Sequence, residues 1–532
     1  MIQSTVHSSI ALEAGSQQFT VNGIKSAALS LLSGIVLALP FCSGRLWVFG
    51  WCGFVPLFFA LHHKTPLKAF LLSYFTGLVF WSVTIYWLIH VTLLGQILLI
   101  AYLALYFGIF GFIITKLWTV DYGLWTIFSL PSAWVCLEYL RAHLLTGFGW
   151  ALLGYSQYLN PPVIQIADLV GVYGVSFLVM MVNIALCVLP ALPAGRRRAY
   201  CAKKKNYIVL PIMCLLAALG YGYFRLTTHD SLRTTVKVSL IQGNIPQELK
   251  WAFGSQPLIL DRYAQLTKDV ALEKPAIIIW PEASSPGFWG EPQDAWILET
   301  IFSLAKEARI PLLFGTVVKE KGQYFNSALL INEEGKLSGR YDKLHLVPFG
   351  EYVPLKHIFK FLATIVPIGD FTAGKEFTTF SLNAIRDTHP SATLRASNAQ
   401  RFGVLICFED TIPELSRNFV RKGADLLVNI TNDAWFKKTS APYQHLSASV
   451  FRAIENRVAL VRAANTGVSC VIDPQGKIIA RVLQGQKDTF VPGIMTANIH
   501  LRQRNSLYCT IGDSFVFGCL ALVGFCGIIK KL

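Results

Sequence analysis

Three short fragments carry side chains that can do covalent chemistry together: Trp280-Pro281-Glu282, Tyr341-Asp342-Lys343-Leu344-His345 and Ile406-Cys407-Phe408-Glu409-Asp410. Each stands after a short apolar run: Ala276–Ile279 before Glu282, Ala328–Ile331 upstream of Lys343, and Phe402–Ile406 before Cys407. Runs so short and so rich in Ile, Val and Leu predict buried strands, and reactive side chains often sit where a strand gives way to a loop. A carboxylate, an ammonium and a thiol delivered to one place make a nucleophile with its own base and its own oxyanion partner. An unperturbed thiol, with a pKa of ~8.5, offers little thiolate at neutral pH, so Glu282 is the expected acceptor of the Cys407 proton. Singly, each residue has a plainer reading: Glu282 a capping or ion-pairing carboxylate, Lys343 a solvated surface lysine, Cys407 an inert buried thiol.

The elements that must position these groups follow from the pattern after residue 235. Strands are expected at Val236–Gln242, Ala276–Ile279, Pro311–Val318, 402–406 and 425–430, and helices at Pro257–Leu272, 294–308 and 445–460. Glu334-Gly335 turns Ala328–Asn332 back into Lys336–Tyr341, and Pro474-Gln475-Gly476 turns 468–472 into 477–482. In helix 445–460, Leu446, Val450, Ile454 and Val458 recur every fourth residue and predict one buried stripe. Alternating strands and helices predict an α/β layered domain. The polar stretch Asn383–Gln400 is expected to be a surface loop.

The rest of the chain is of another kind. Only 15% of the 532 residues are charged and 53% are hydrophobic, and the mean hydropathy is +0.47, against a soluble norm near ~25% charged. The excess lies in apolar stretches at about 24–41, 46–61, 67–90, 94–118, 122–140, 168–193 and 207–225, with an eighth at about 513–529. Such stretches predict about eight membrane spans, of which 46–61 is the shortest. The expected organisation is a bundle over 1–226, a globular domain over 227–508 and a final span over 509–532.

Arg196-Arg197-Arg198 with Lys203-Lys204-Lys205 forms the densest basic loop, which the positive-inside rule assigns to the cytoplasm. By parity His62, His63, Lys64 and Lys68 share that side, as do Lys530 and Lys531. The globular domain is then expected outside the cytoplasm. The net charge of +16 is thereby read as membrane anchoring, with no nucleic-acid partner implied. Of 11 cysteines only Cys407 and Cys470 fall within the globular stretch, with Cys509 at its exit, so no disulfide scaffold is expected. No spacing of Cys, His and acidic residues suggests a metal, and no cofactor is expected.

The three fragments, with Leu346-Val347-Pro348-Phe349-Gly350-Glu351-Tyr352-Val353-Pro354 between the second and third, resemble the Glu-Lys-Cys signature of the carbon–nitrogen hydrolase (nitrilase) superfamily. Flanked by spans, and joined by Gln242-Gly243-Asn244-Ile245-Pro246, Lys250-Trp251, Thr431-Asn432-Asp433-Ala434-Trp435-Phe436 and Arg462-Ala463-Ala464-Asn465-Thr466-Gly467, they resemble most closely its apolipoprotein N-acyltransferase family. The resemblance implies an α-β-β-α sandwich on a membrane bundle in the bacterial inner membrane, facing the periplasm. It implies transfer of an acyl chain from a phospholipid, through a Cys407 thioester, to the α-amino group of a diacylglyceryl-cysteine at an apolipoprotein N-terminus. It also implies that Glu351 and Glu409 support the catalytic Glu282, Lys343 and Cys407, and that Trp251 and Phe408 lie near the substrate. Phe408 stands where many members have Tyr, which leaves its backbone N–H but removes a hydroxyl. His345 and His445 are read as hydrogen-bonded structural residues, because Glu282 fills the role of base.

Two other readings compete. A membrane-tethered amidase or nitrilase would use the same triad with water in place of the amine, but a soluble substrate needs at most one anchor. A transporter or binding protein with a decayed enzyme domain is disfavoured by the intact triad and by the few charges near the spans, Asp121, Glu138, Arg141 and Asp168. The run Ile358–Ile368 has helical spacing at Phe359, Leu362 and Val366, and is either a core helix or an amphipathic lid that admits lipid to Cys407.

Overall fold

The computed structural model describes residues 3–117, 124–188, 198–228, 235–250, 252, 254–348, 350–352, 371–382, 400–501 and 506–529. Trp251, the candidate lid 358–368 and all but the last residue of the 383–400 loop lie outside them.

The globular part is built on two sheets. Its strands are β1 (Thr235–Gln242), β2 (Ile277–Ile279), β3 (Phe288–Trp289), β4 (Leu312–Glu320), β5 (Gln323–Ile331), β6 (Leu337–Asp342), β7 (Thr379–Leu382), β8 (Gln400–Ile406), β9 (Leu426–Thr431), β10 (Ala459–Ala464), β11 (Cys470–Ile472), β12 (Ile478–Arg481) and β13 (Gly493–His500). The first sheet has the order β13-β1-β2-β4-β5-β6, with β3 beside β4, and the second β12-β11-β10-β9-β8-β7. β1, β2 and β4 run parallel, as do β8, β9 and β10.

Side chains in the first sheet alternate between two cores, as a period of two requires. Val238, Leu240, Ile277, Ile279, Leu313, Ala328 and Leu330 face the second sheet. Ile241, Ile278, Leu312, Phe314, Leu329 and Ile331 face helices Gln256–Ala271 and Ala295–Ala308. Helices Pro413–Arg421 and Ala441–Asn456 cover the other side of the second sheet. The result is the expected α-β-β-α sandwich.

The sequence pattern misplaces one helix. The expected 445–460 is Ala441–Asn456, because Arg457 takes a left-handed φ of 52° and ends it. The apolar run after it becomes β10, so Val458 belongs to the approach to a strand. Nor is the helix buried along one stripe: residues on all its faces are buried. Its outer face packs on the membrane bundle.

Among the described residues the bundle has six stretches long and apolar enough to cross a membrane: Gly23–Cys42, Gly44–Leu61, Pro66–Thr84, Leu93–Leu117, Ala167–Cys187 and Ile208–Thr227. Leu124–His143 and the shorter Ser514–Cys526 occupy the positions of the other two expected spans. The second and shortest expected stretch is broken, a 3-10 segment Gly44–Trp51 followed by a single α-helical piece, Val55–Leu61. Leu94, Ile97 and Leu98 are exposed, as side chains facing acyl chains would be.

Polar contacts dock the sandwich on the bundle. The Gln444 carbonyl oxygen accepts the indole N–H groups of Trp87 at 3.1 Å and Trp150 at 2.7 Å, and its amide donates to the carbonyls of Phe41 and Thr84, both at 2.9 Å. Glu455 accepts the Val172 N–H at 2.8 Å. Asp168 binds the Arg457 guanidinium at 2.7 and 2.8 Å and accepts the Tyr221 hydroxyl at 2.8 Å, so this charge at the start of a span serves docking.

Candidate active site

Glu282, Lys343 and Cys407 each stand just beyond a strand end, after β2, β6 and β8. The loop that carries Glu282 lies flat against β4 because position 315 is glycine. A Cβ there would come within 2.5 Å of the Ala283 nitrogen and 2.7 Å of the Glu282 Cα. Cys407 sits at the turn from β8 into a short 3-10 helix with a φ of 56°. A non-glycine residue in this left-handed region is strained, and such strain gathers at functional positions.

The structure brings Glu282, Lys343 and Glu351 into one buried cluster. The Lys343 ammonium lies 2.9 Å from Glu351 and 4.0 Å from Glu282. The Asn326 amide donates to both carboxylates, at 2.8 Å to Glu282 and 2.7 Å to Glu351. The Val347 N–H holds the second Glu351 oxygen at 2.8 Å. Burial alone would lower Lys343, but the charges of Glu351, Cys407 and Glu282 hold its ammonium well above the ordinary value. Burial, reinforced by Glu282, pushes the Cys407 thiol well up, while Lys343 draws it down.

Glu409 is a brace. It accepts hydrogen bonds from the Ile406 N–H at 2.7 Å, the Leu344 N–H at 2.7 Å, the His345 N–H at 3.1 Å and the Tyr341 hydroxyl at 2.9 Å. It thus ties the strand leading to Cys407 to the segment around Lys343. Burial pushes its carboxyl up to about 7, against the pull of these donors and of Lys343. The Phe408 ring lies 5.9 Å from the Lys343 ammonium and 5.6 Å from the His345 ring, at the site.

A second buried cluster lies behind the nucleophile. His445 bridges Asp433 and Asp410, at 2.9 Å to each. Arg462 binds the same two carboxylates at 3.1 and 3.0 Å, and donates to the Asn429 side-chain oxygen at 2.6 Å. The Asn429 amide in turn donates to the Cys407 carbonyl at 2.9 Å. Against burial, His445 and Arg462 hold Asp410 and Asp433 below the usual carboxylate range. Against burial and Arg462, the two aspartates hold His445 above its usual value. Two cations face two anions, so the cluster is formally neutral.

His445 is thus structural, as expected, whereas the roles of Asp410, Asp433, Asn429 and Arg462 were not assigned from the sequence. The signal available was their place at the ends of apolar runs in motifs already noted. Cys470 is a thiol in β11, not bridged to Cys407. Among the described residues no group of His, Cys, Asp and Glu is arranged to hold a metal ion.

Removing one member of the neutral cluster strands a buried charge, so Arg462→Met should destabilise the protein by about 3–5 kcal/mol. Denaturant unfolding in detergent micelles, with tryptophan fluorescence as the signal, measures this.

Comparison with known proteins returns two families. The carbon-nitrogen hydrolase family matches residues 237–506, and the apolipoprotein N-acyltransferase N-terminal domain matches residues 33–185. An apolipoprotein N-acyltransferase of Geobacter metallireducens is 40% identical, covering 93% of both chains. One from Brucella melitensis is 30% identical, over 89% of this chain and 91% of its own. Among solved structures, a nitrilase-superfamily amidase from Nesterenkonia sp. AN1 covers 53% of this chain and 96% of its own, at 16% identity and a TM-score of 0.38.

Proposed function

This chain belongs to the apolipoprotein N-acyltransferase family, and from that premise we propose that its Glu282, Lys343 and Cys407 transfer an acyl chain from a phospholipid to the α-amino group of a diacylglyceryl-cysteine at an apolipoprotein N-terminus. The observation that carries the reading is the buried Lys343 ammonium beside Glu282 and Glu351, acting on the Cys407 sulfur. In the first half-reaction Glu282 accepts the Cys407 proton as sulfur attacks the ester carbonyl. The Lys343 ammonium faces the oxyanion that forms. Collapse breaks the ester C–O bond, and the lysophospholipid oxygen leaves with the proton from Glu282. In the second half-reaction the neutral amine attacks the thioester and passes a proton to Glu282. Collapse breaks the C–S bond, and that proton returns to the sulfur. Glu351 positions Lys343, Glu409 braces the Cys407 and Lys343 segments, and substrate binding is assigned to Phe408 and Trp251.

The division into a bundle over 1–226, a catalytic domain over 227–508 and a last span over 509–532 follows from the same reading, in which the bundle takes a lipid and the sandwich acts on it. Its place is the bacterial inner membrane with the sandwich in the periplasm. Loop charge supports that orientation, since the basic clusters at 196–205 and at Lys530-Lys531 precede and follow spans that bound the domain. A small amide or nitrile as substrate leaves the extensively docked bundle without a purpose.

Cys407→Ala should retain the wild-type melting point within a few degrees and lose transfer of a labelled phospholipid acyl chain to a diacylglyceryl-cysteine peptide by at least 10³-fold. Residual transfer near the wild-type rate would exclude Cys407 as nucleophile. Reporter fusions at residues 200 and 300 should fall on opposite sides of the membrane; finding both on one side would overturn the orientation.

A further inference from the structure

The site contains a second buried lysine that the reaction as described does not use. Lys250 ends the short helix Gln247–Lys250, is 5% exposed, and donates from its ammonium to the Glu282 backbone carbonyl at 3.1 Å. Among the described residues this is the one hydrogen bond its ammonium makes. The segment that carries it is pinned to the ends of β9 and β10. Asn465 accepts the Ile245 N–H at 2.9 Å and donates to the Ile245 carbonyl at 2.8 Å, while Asn432 donates to Gln247 at 2.9 Å. A long, flexible side chain has therefore been fixed and desolvated beside the base of the reaction.

The formal charges show why. Glu282 and Glu351 share one bridging amide, that of Asn326, which donates to both and neutralises neither. Lys343 sits nearer Glu351 than Glu282. Two carboxylates facing a single cation leave one negative charge uncompensated in a buried site, which is costly. A second cation brings the four groups to zero. The balance survives transfer of the Cys407 proton to Glu282, since one anion replaces another.

We infer that Lys250 is a positioning residue of the acyl-transfer site, the counter-cation that holds the Glu282 loop and preserves Glu282 as base for Cys407. The inference rests on the Glu282–Cys407 roles proposed above. The ionisable groups that act on it are Glu282, after β2, and Cys407, after β8. Burial pushes Lys250 down to about 8, with Glu282 and Cys407 holding it up.

The test is the pH dependence of Cys407 alkylation by iodoacetamide in the full-length protein in detergent, read at the Cys407 peptide by mass spectrometry. It needs neither lipid nor acceptor. In Lys250→Met the midpoint of the acid limb should move up by at least one pH unit, because the carboxylate pair loses a cation. Lys250→Arg keeps the charge and should follow the wild type within about 0.3 unit. Superimposable Met and wild-type profiles, a uniform slowing without a shift, or an Arg variant that loses the acid limb would each overturn the inference. Should the Met variant fail to fold, the Arg variant still decides, since a role that requires only charge must survive it. Acyl transfer is scored separately on the same proteins with a labelled phospholipid. A wild type that shows the alkylation limb but transfers no acyl chain faults the reaction, while one that transfers normally beside unshifted Lys250→Met faults only the role of Lys250.

Discussion

The site depends on keeping the Lys343 ammonium charged where there is no bulk water. A buried cation is costly unless it is paired and hydrogen-bonded, and Lys343 meets that condition through Glu351 at 2.9 Å, with Glu282 farther off at 4.0 Å. That asymmetry has a chemical use. Glu351 holds the lysine in place, and Glu282 keeps a looser relation to it, which suits its proposed role as proton acceptor for Cys407. The low dielectric that makes the pair expensive also strengthens the attraction of Lys343 for an oxyanion.

The same economy of charge recurs one layer back. Asp410, Asp433, His445 and Arg462 form a neutral buried set, and Asn429 connects it to the Cys407 carbonyl. The helix that contributes His445 also contributes Gln444, whose amide reaches the backbone of two bundle segments. One turn of helix therefore joins the support of the nucleophile to the membrane part. A relation of this kind suits the proposed function, in which a donor in the bilayer has to reach a nucleophile in the docked domain.

Much of this was legible from the residues. Ala276–Ile279 and Phe402–Ile406 are apolar runs too short for helices, and each ends at a reactive side chain, so β2, β8, Glu282 and Cys407 could be read directly. β10 could not. Val458, just ahead of it, continues the four-residue repeat of the preceding helix, and only the left-handed turn at Arg457 separates the two. The burial of Ala441–Asn456 on all sides was also hidden, since Gln444, His445, Arg452 and Glu455 look like a polar face until their partners on other elements are known. Asp168 reads as a stray membrane charge for the same reason: its partner Arg457 lies 289 residues away. Long-range pairing of buried polar groups leaves no periodic trace in a sequence.

The central claim is that an acyl group rests on Cys407 between donor and acceptor. Wild-type protein incubated with a phospholipid of defined acyl chains, without any amine acceptor, should gain the mass of one acyl group, located on Cys407 by peptide mapping and released by neutral hydroxylamine. Adding a diacylglyceryl-cysteine peptide should then discharge that adduct as the triacylated peptide appears. Acylated peptide formed at the full rate with no Cys407 adduct, under conditions in which a thioester survives, would contradict the account.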